Sequence, residues 1–267
     1  MVYFSRRTGN FFYRANFEIA LILVLILGSA SVSAFPAAPV KNIFQGGYAG
    51  VINPSTTSNT VIKGSWNVSP LACQPTLSQN QEVASYIGFF AVEKGTSNSL
   101  FLGIGVYEQC LQGQTTPVYS AITIVSTAGT GIIYTLSTIH VKPPDKVSAV
   151  ITLNPSTDAV KGTIRDTTNS QSGSHSDTLT FTPTTYNAQW LISPTITSAT
   201  TILPLADFTT PIKFANAALT DTTGTHFLSK LPGLTNFELV LGSDVLAIAS
   251  PISGNGNSFH ITWKAST

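Results

Sequence analysis

The stretch Lys146-Val147-Ser148-Ala149-Val150-Ile151-Thr152-Leu153 decides the fold class. Val147, Ala149, Ile151 and Leu153 face one way, while Lys146, Ser148 and Thr152 face the other. Period-two alternation means one face buried and one wetted, as in an antiparallel sheet. The same pattern recurs outward in both directions. Phe259, Ile261 and Trp263 alternate with His260, Thr262 and Lys264; Leu179 and Phe181 alternate with Thr178, Thr180 and Thr182; Ile62, Gly64, Trp66 and Val68 share a face. Val, Ile, Thr and aromatic residues dominate these runs, as pleated surfaces favour. Turn chemistry separates them at Asn53-Pro54, Pro143-Pro144-Asp145, Asn154-Pro155, Ser172-Gly173, Pro232-Gly233 and Gly254-Asn255-Gly256-Asn257. Short strands with regular turns and no amphipathic helix predict an all-β fold. About a dozen candidate strands exceed a small immunoglobulin-like domain, so the expected architecture is a two-sheet antiparallel β-sandwich.

Composition fits this reading and narrows the functions. The chain has 267 residues, 43% of them hydrophobic and only 9% charged, with a formal net charge of +1. Arg6, Arg7 and Arg14 supply three of the positive charges. A near-neutral body argues against nucleic acid as a partner, since such binding needs a clustered basic surface. Few carboxylates also means little charge to lose at low pH, which suits an acidic exterior.

Those arginines flank an unbroken apolar run, Ile19–Leu27, and Val32-Ser33-Ala34 has the small-residue pattern of a cleavage site. Residues 1–34 therefore read as a secretory signal peptide. The run is about half the roughly 20 residues a spanning helix needs; an uncleaved anchor is the alternative, and only then would a membrane be a partner. Residues 35–45, with Ala37–Lys41 rich in Ala and Pro, read as a linker. Residues 46–267 show no composition break and no repeat, so they are expected to form one domain, secreted or displayed outside the cell. Cys73 and Cys110 form an even pair, which in a secreted chain reads as a disulfide, with two separate thiols as the alternative. Closing that loop would contribute roughly 3–4 kcal/mol. Asn67-Val68-Ser69 fits an N-glycosylation sequon.

Familiar catalytic patterns are absent. There is no Gly-x-Ser-x-Gly elbow, no His-Glu-x-x-His, and the four histidines (140, 175, 226 and 260) are scattered. No metal or cofactor is expected: Cys-x-x-Cys is missing, and Gly103-Ile104-Gly105 lacks a third glycine and a following helix. Glu108, Asp145, Asp158, Asp166, Asp207 and Asp244 stand mostly in turn-like contexts, where solvated or turn-capping roles are the ordinary ones.

Several segments, taken in order, resemble the eqolisins, the glutamic peptidase family of secreted acid endopeptidases. Gly64-Ser65-Trp66-Asn67-Val68-Ser69-Pro70 is similar to that family's Trp-bearing strand, and Ala84-Ser85-Tyr86-Ile87-Gly88 to its Ser-x-Trp-Val/Ile-Gly strand. Asn98 to Gly105 resembles a Leu-Ile-Gln-x-Gly stretch, and Val118 to Ile124 one reading Tyr-x-Ala-Trp-x-Glu. Asn187-Ala188-Gln189-Trp190-Leu191-Ile192 is similar to Ala-Glu-Trp-Ile. Leu203 to Phe208, followed by Ile212-Lys213-Phe214, resembles a Pro-Leu-Ala-x-Phe segment and its next strand. The likeness runs from about Gly46 to Trp263.

The resemblance implies a concanavalin-like pair of large antiparallel sheets with a substrate cleft on the concave one. It also implies a Gln–Glu dyad, the Glu acting as general base and the Gln helping to hold the oxyanion. This chain departs from that pattern where it matters. The family Gln falls on Gly103, and losing one oxyanion donor typically costs about 10²–10³ in rate. The family Glu falls on Gln189, a neutral amide that cannot take a proton from water. The Trp and Glu after Tyr119 become Ile122 and Ile124, and a polar position after Gly88 becomes Phe89-Phe90. Leu111-Gln112-Gly113 is a second candidate for the Gln, but it lies too near Tyr119 and reads as a turn. Two expectations follow. One is a pseudoenzyme that uses its concave face, carrying Trp66, Phe90, Tyr119, Ile122, Ile124 and Gln189, or its sheet edges, to bind a protein, an extended peptide or a glycan, or that serves as a structural domain at the cell surface or outside it. The other is an acid endopeptidase with an atypical dyad.

Overall fold

The structure, a computed structural model, describes residues 41–45, 48–55, 60–127, 130–194, 196–198, 201–202, 204–241 and 244–264. The expected signal peptide lies outside these residues. In chain order the strands are β1 Lys41–Gln45, β2 Ala49–Ser55, β3 Val61–Asn67, β4 Leu71–Ala72, β5 Gln81–Val92, β6 Ser99–Cys110 and β7 Val118–Thr127. They continue as β8 Thr130–Thr135, β9 Lys146–Asn154, β10 Ala159–Asp166, β11 Gln171–Thr178, β12 Thr185–Ser193, β13 Ile196–Ser198 and β14 Thr201–Ile202. The last six are β15 Asp207–Phe208, β16 Ile212–Asp221, β17 Gly224–Phe227, β18 Thr235–Leu241, β19 Asp244–Ala249 and β20 Phe259–Trp263. Among the described residues the one helical turn is the 3₁₀ segment Leu228–Lys230, and no helix is long and apolar enough to cross a membrane.

Hydrogen-bonded neighbours run β11-β10-β9-β3-β16-β20-β19-β18-β2-β12-β5-β6-β7-β8, with β1 beside β18 and β17 beside β16. This path folds back so that its two halves stack. The Trp66 indole N–H on β3 donates to Ser85 Oγ on β5 at 3.0 Å. Trp190 Nε1 on β12 reaches back to the Lys63 carbonyl on β3 at 2.8 Å. Gly162 on β10 faces the Ile104 side chain on β6. Tyr134 on β8 stacks on His175 of β11, ring centres 4.9 Å apart. Between the halves lies the main core, built from Trp66, Trp190, Ile87, Phe89, Leu102, Ile104, Ile151 and Phe214 among others.

The alternation that suggested the fold is real in β9, where Val147, Ala149, Ile151 and Leu153 are buried and Lys146, Val150 and Thr152 are not. β3 behaves likewise, burying Ile62, Gly64 and Trp66. β5 is different: all twelve of its residues are buried. Its odd-numbered side chains join the main core, while Ala84 and Tyr86 join a second cluster with Ile52, Ile122, Ile124, Leu191 and Phe237 on the outer face of the sheet. A strand covered on both sides has no polar face to alternate with.

Two sequence expectations need correction. Leu179–Thr182 is not a strand: β11 stops at Thr178, and the Leu179 N–H bonds back to the Asp158 carbonyl. Leu179 is nonetheless buried, so its apolar character records packing against the main core just beyond the strand. The linker expected over 35–45 also ends early, because Lys41–Gln45 pairs in parallel with Asn236–Val240 of β18. Its partner is far away in sequence, beyond the reach of local pattern.

Cys73 and Cys110 are joined, as expected, tying the segment after β4 to the end of β6. Close strand approach is secured by Gly105, where a Cβ would fall 2.0 Å from the Ser85 carbonyl oxygen.

Candidate functional site on the outer face of the β5–β6 sheet

Register alone assembles the site. Gln189 on β12 pairs with Gly88 on β5, Gly88 with Gly103 on β6, and Gly103 with Ile124 on β7. The row extends to Ile52 of β2 on one side and Ile133 of β8 on the other. Directly paired residues point to the same face. Gly103 and Gln189 therefore share one face, two strand spacings or about 10 Å apart, with Gly88 between them. The row Ile52–Gln189–Gly88–Gly103–Ile124–Ile133 contains no ionisable side chain.

The ring of Phe101 fills the space that two glycines leave. Phe101 stands two residues before Gly103 and so projects from the same face. A Cβ on Gly103 would meet two of its ring carbons at 3.0 Å, and a Cβ on Gly88 would meet one at 2.8 Å. Tyr86 supports the ring edge-on, centres 6.1 Å apart. Beside it Gln189 is 9% exposed, with Oε1 3.3 Å from the place a Gly88 Cβ would take. The Asn187 amide, two residues along on the same face, has a buried Oδ1 with no hydrogen-bond partner among the described residues.

A strongly perturbed carboxylate lies close by, on the wrong side. Glu108 is five residues from Gly103 on β6, an odd number, so it points between the sheets. Ser85 Oγ donates to Glu108 Oε1 at 3.3 Å while itself accepting from the Trp66 indole. Oε2 is buried without a hydrogen-bond partner among the described residues. Burial pushes this carboxyl up to about 8, and the Ser85 bond only partly offsets that. The neighbouring phenol of Tyr119 is also raised, by burial first, and against the accepted Leu71 N–H. On the outer face, β5 does carry Glu82, paired with Gln109 Nε2 at 2.7 Å. It sits six residues from Gly88, about 20 Å along the strand.

Of the expected site residues, Phe90, Ile122, Ile124 and Gln189 share the outer face. Trp66 and Tyr119 do not. Trp66 is in the main core against Phe214, and Tyr119 packs on that core with its hydroxyl accepting the Leu71 N–H. The parity of Tyr119 against Ile122 could have revealed this. Phe101, Tyr86 and Asn187 were not expected at the site. The signal for Phe101 was its position two residues before a glycine on a strand. Asn67 is exposed at the end of β3.

The two stacked, mainly antiparallel halves around one core define the protein as an all-β sandwich. The Peptidase A4 family model matches residues 46–263. The chain belongs to that family. Among solved structures it is similar to aspergilloglutamic peptidase from Aspergillus niger, with a TM-score of 0.51 and 20% identity over 69% of this chain and 99% of that one. A tailspike domain of bacteriophage CBA120 aligns at a TM-score of 0.32 and 12% identity, over 64% of this chain and 24% of that one. No curated protein sequence matches the chain.

Proposed function

We propose that this protein is a non-catalytic member of the Peptidase A4 family whose outer sheet face binds an uncharged peptide, protein segment or glycan. The observation that supports this reading is the row through Gly103 and Gln189, the positions the family resemblance assigns to the dyad, which carries no ionisable side chain and has the Phe101 ring over both glycines. Hydrolysis needs a group that removes a proton from water, and an amide does not. Apolar and aromatic side chains beside two amides suit a neutral ligand. The paired cysteines and the leader-like N-terminus support an extracellular setting.

Family membership favours a second reading, an acid endopeptidase with an atypical dyad. That reading needs another base, and Glu108 faces the core. Incubating the purified protein with unfolded protein substrate between about pH 2 and 5 separates the two. No cleavage is expected; cleavage abolished by Gln189→Ala would overturn the non-catalytic reading.

A further inference from the structure

The two end strands of the sheet path differ sharply. β11, Gln171–Thr178, is polar along its length and carries His175 and Asp177. β8, Thr-Gly-Ile-Ile-Tyr-Thr, has no charge and no proline, and among the described residues it pairs only with β7. Ile132 is 51% exposed, Ile133 42% and Tyr134 40%, three consecutive large apolar side chains. Monomeric proteins usually blunt such an edge with lysine, proline, a bulge or a covering segment. None of the residues β8 pairs with, Ile122–Thr127, is charged either. The edge thus carries no charge on β8 or on its β7 partners, and on its inner side Tyr134 stacks on His175 of β11.

We propose that β8 is a self-association edge, at which a second copy of this chain adds antiparallel across a two-fold axis centred on Ile133. A two-fold perpendicular to the sheet keeps each side chain on its own face, so partners must share parity. Centring on Ile133 places it against its own copy on the outer face, Ile132 against Tyr134 on the inner face, and Gly131 against Thr135. No like charges meet. The outer-face row that ends in Ile124 and Ile133 then continues into the identical row of the partner. A formal net charge of only +1 leaves little long-range repulsion between copies. One short strand pair buries less than about 1,200 Å² in total, so the dimer is expected to dissociate on dilution.

The proposal is independent of whether the outer face binds a ligand. Sedimentation of the whole protein across a concentration range should show a monomer–dimer equilibrium. Ile133→Lys, at an exposed position, should weaken it at least tenfold with thermal unfolding unchanged, and Ile132→Lys should do the same. Ile133→Cys reads the register directly. With both native cysteines paired, the new thiol should form a symmetric intermolecular disulfide under mild oxidation, since facing Cα atoms in such a pair lie about 4.5–5.5 Å apart. Val150→Cys, exposed on β9, should not. A protein that stays monomeric at every concentration, a dimer that survives both lysine variants, or equal cross-linking of the two cysteine variants would overturn the proposal. So would an edge that takes up only an extended apolar peptide of unrelated sequence.

Discussion

The two faces of strand β6 treat polar groups in opposite ways. Inward, Glu108 is buried with a Ser85 hydroxyl and, beyond it, the Trp66 indole, forming a short chain of hydrogen bonds inside the main core. Outward, five residues earlier, Gly103 has no side chain, and an aromatic ring lies over it beside the neutral Gln189 amide. The protein therefore keeps a proton-binding group where water and substrate do not reach. It holds only neutral groups along the outer row through Gly103 and Gln189. Parity along a single strand separates the two environments, and no rearrangement of side chains can carry Glu108 to the other face without reversing the register of β6.

The largest effect expected from this contrast is a pH dependence of stability. Glu108 is raised from 4.5 to about 8, so the folded state holds its proton more tightly than the unfolded chain. Its stabilising contribution is fully present below pH 4.5 and is lost as the pH rises through 8, a change of order 3–5 kcal/mol. Urea unfolding midpoints between pH 4 and 9 should fall accordingly, and Glu108→Gln, which keeps the acceptor for Ser85, should remove most of that fall. A midpoint that rises with pH in the wild-type protein would break the contrast.

A smaller effect tests the filled outer face. Gly103→Gln drives a side chain into the Phe101 ring and should cost about 1–3 kcal/mol, measured as a drop in melting temperature. Adding Phe101→Ala should recover part of it. If Gly103→Gln proved neutral, the ring would not be the filler described here. The same logic applies to reinstating a dyad: Gly103→Gln with Gln189→Glu should stay inactive while Phe101 occupies the space between them.

The smallest effect belongs to Gln189 alone. Its amide makes no hydrogen bond among the described residues and is nearly buried, so Gln189→Leu should change stability by less than about 1 kcal/mol in either direction. A loss of several kcal/mol would mean that the amide is held by partners, and the outer face would no longer contrast with the inner one.

Much of this was legible beforehand, for identifiable reasons. β9 and β3 have one wet and one dry face, so their side chains announce both strand and direction. β5 is dry on both faces, and its sequence showed a strand without saying which side chains meet which sheet. The neutral character of Gly103 and Gln189 was visible as residue types, and register places the two on one face. Trp66 and Tyr119 were placed on the wrong face because aromatic character does not report direction. Phe101 was missed because a missing Cβ in one strand is filled by a neighbour whose reach only coordinates reveal.

By itself, the order of residues determined that this chain is a β-sandwich and that Gly103 and Gln189 carry no titrating group, because alternation and side-chain chemistry are local properties. Tertiary structure alone decided that Glu108 turns inward, that Phe101 covers two glycines, that Cys73 meets Cys110, and that β8 ends the sheet path among the described residues. Those outcomes depend on which distant strands pair and in what register, and pairing energy is set by surfaces that meet only once the chain has folded.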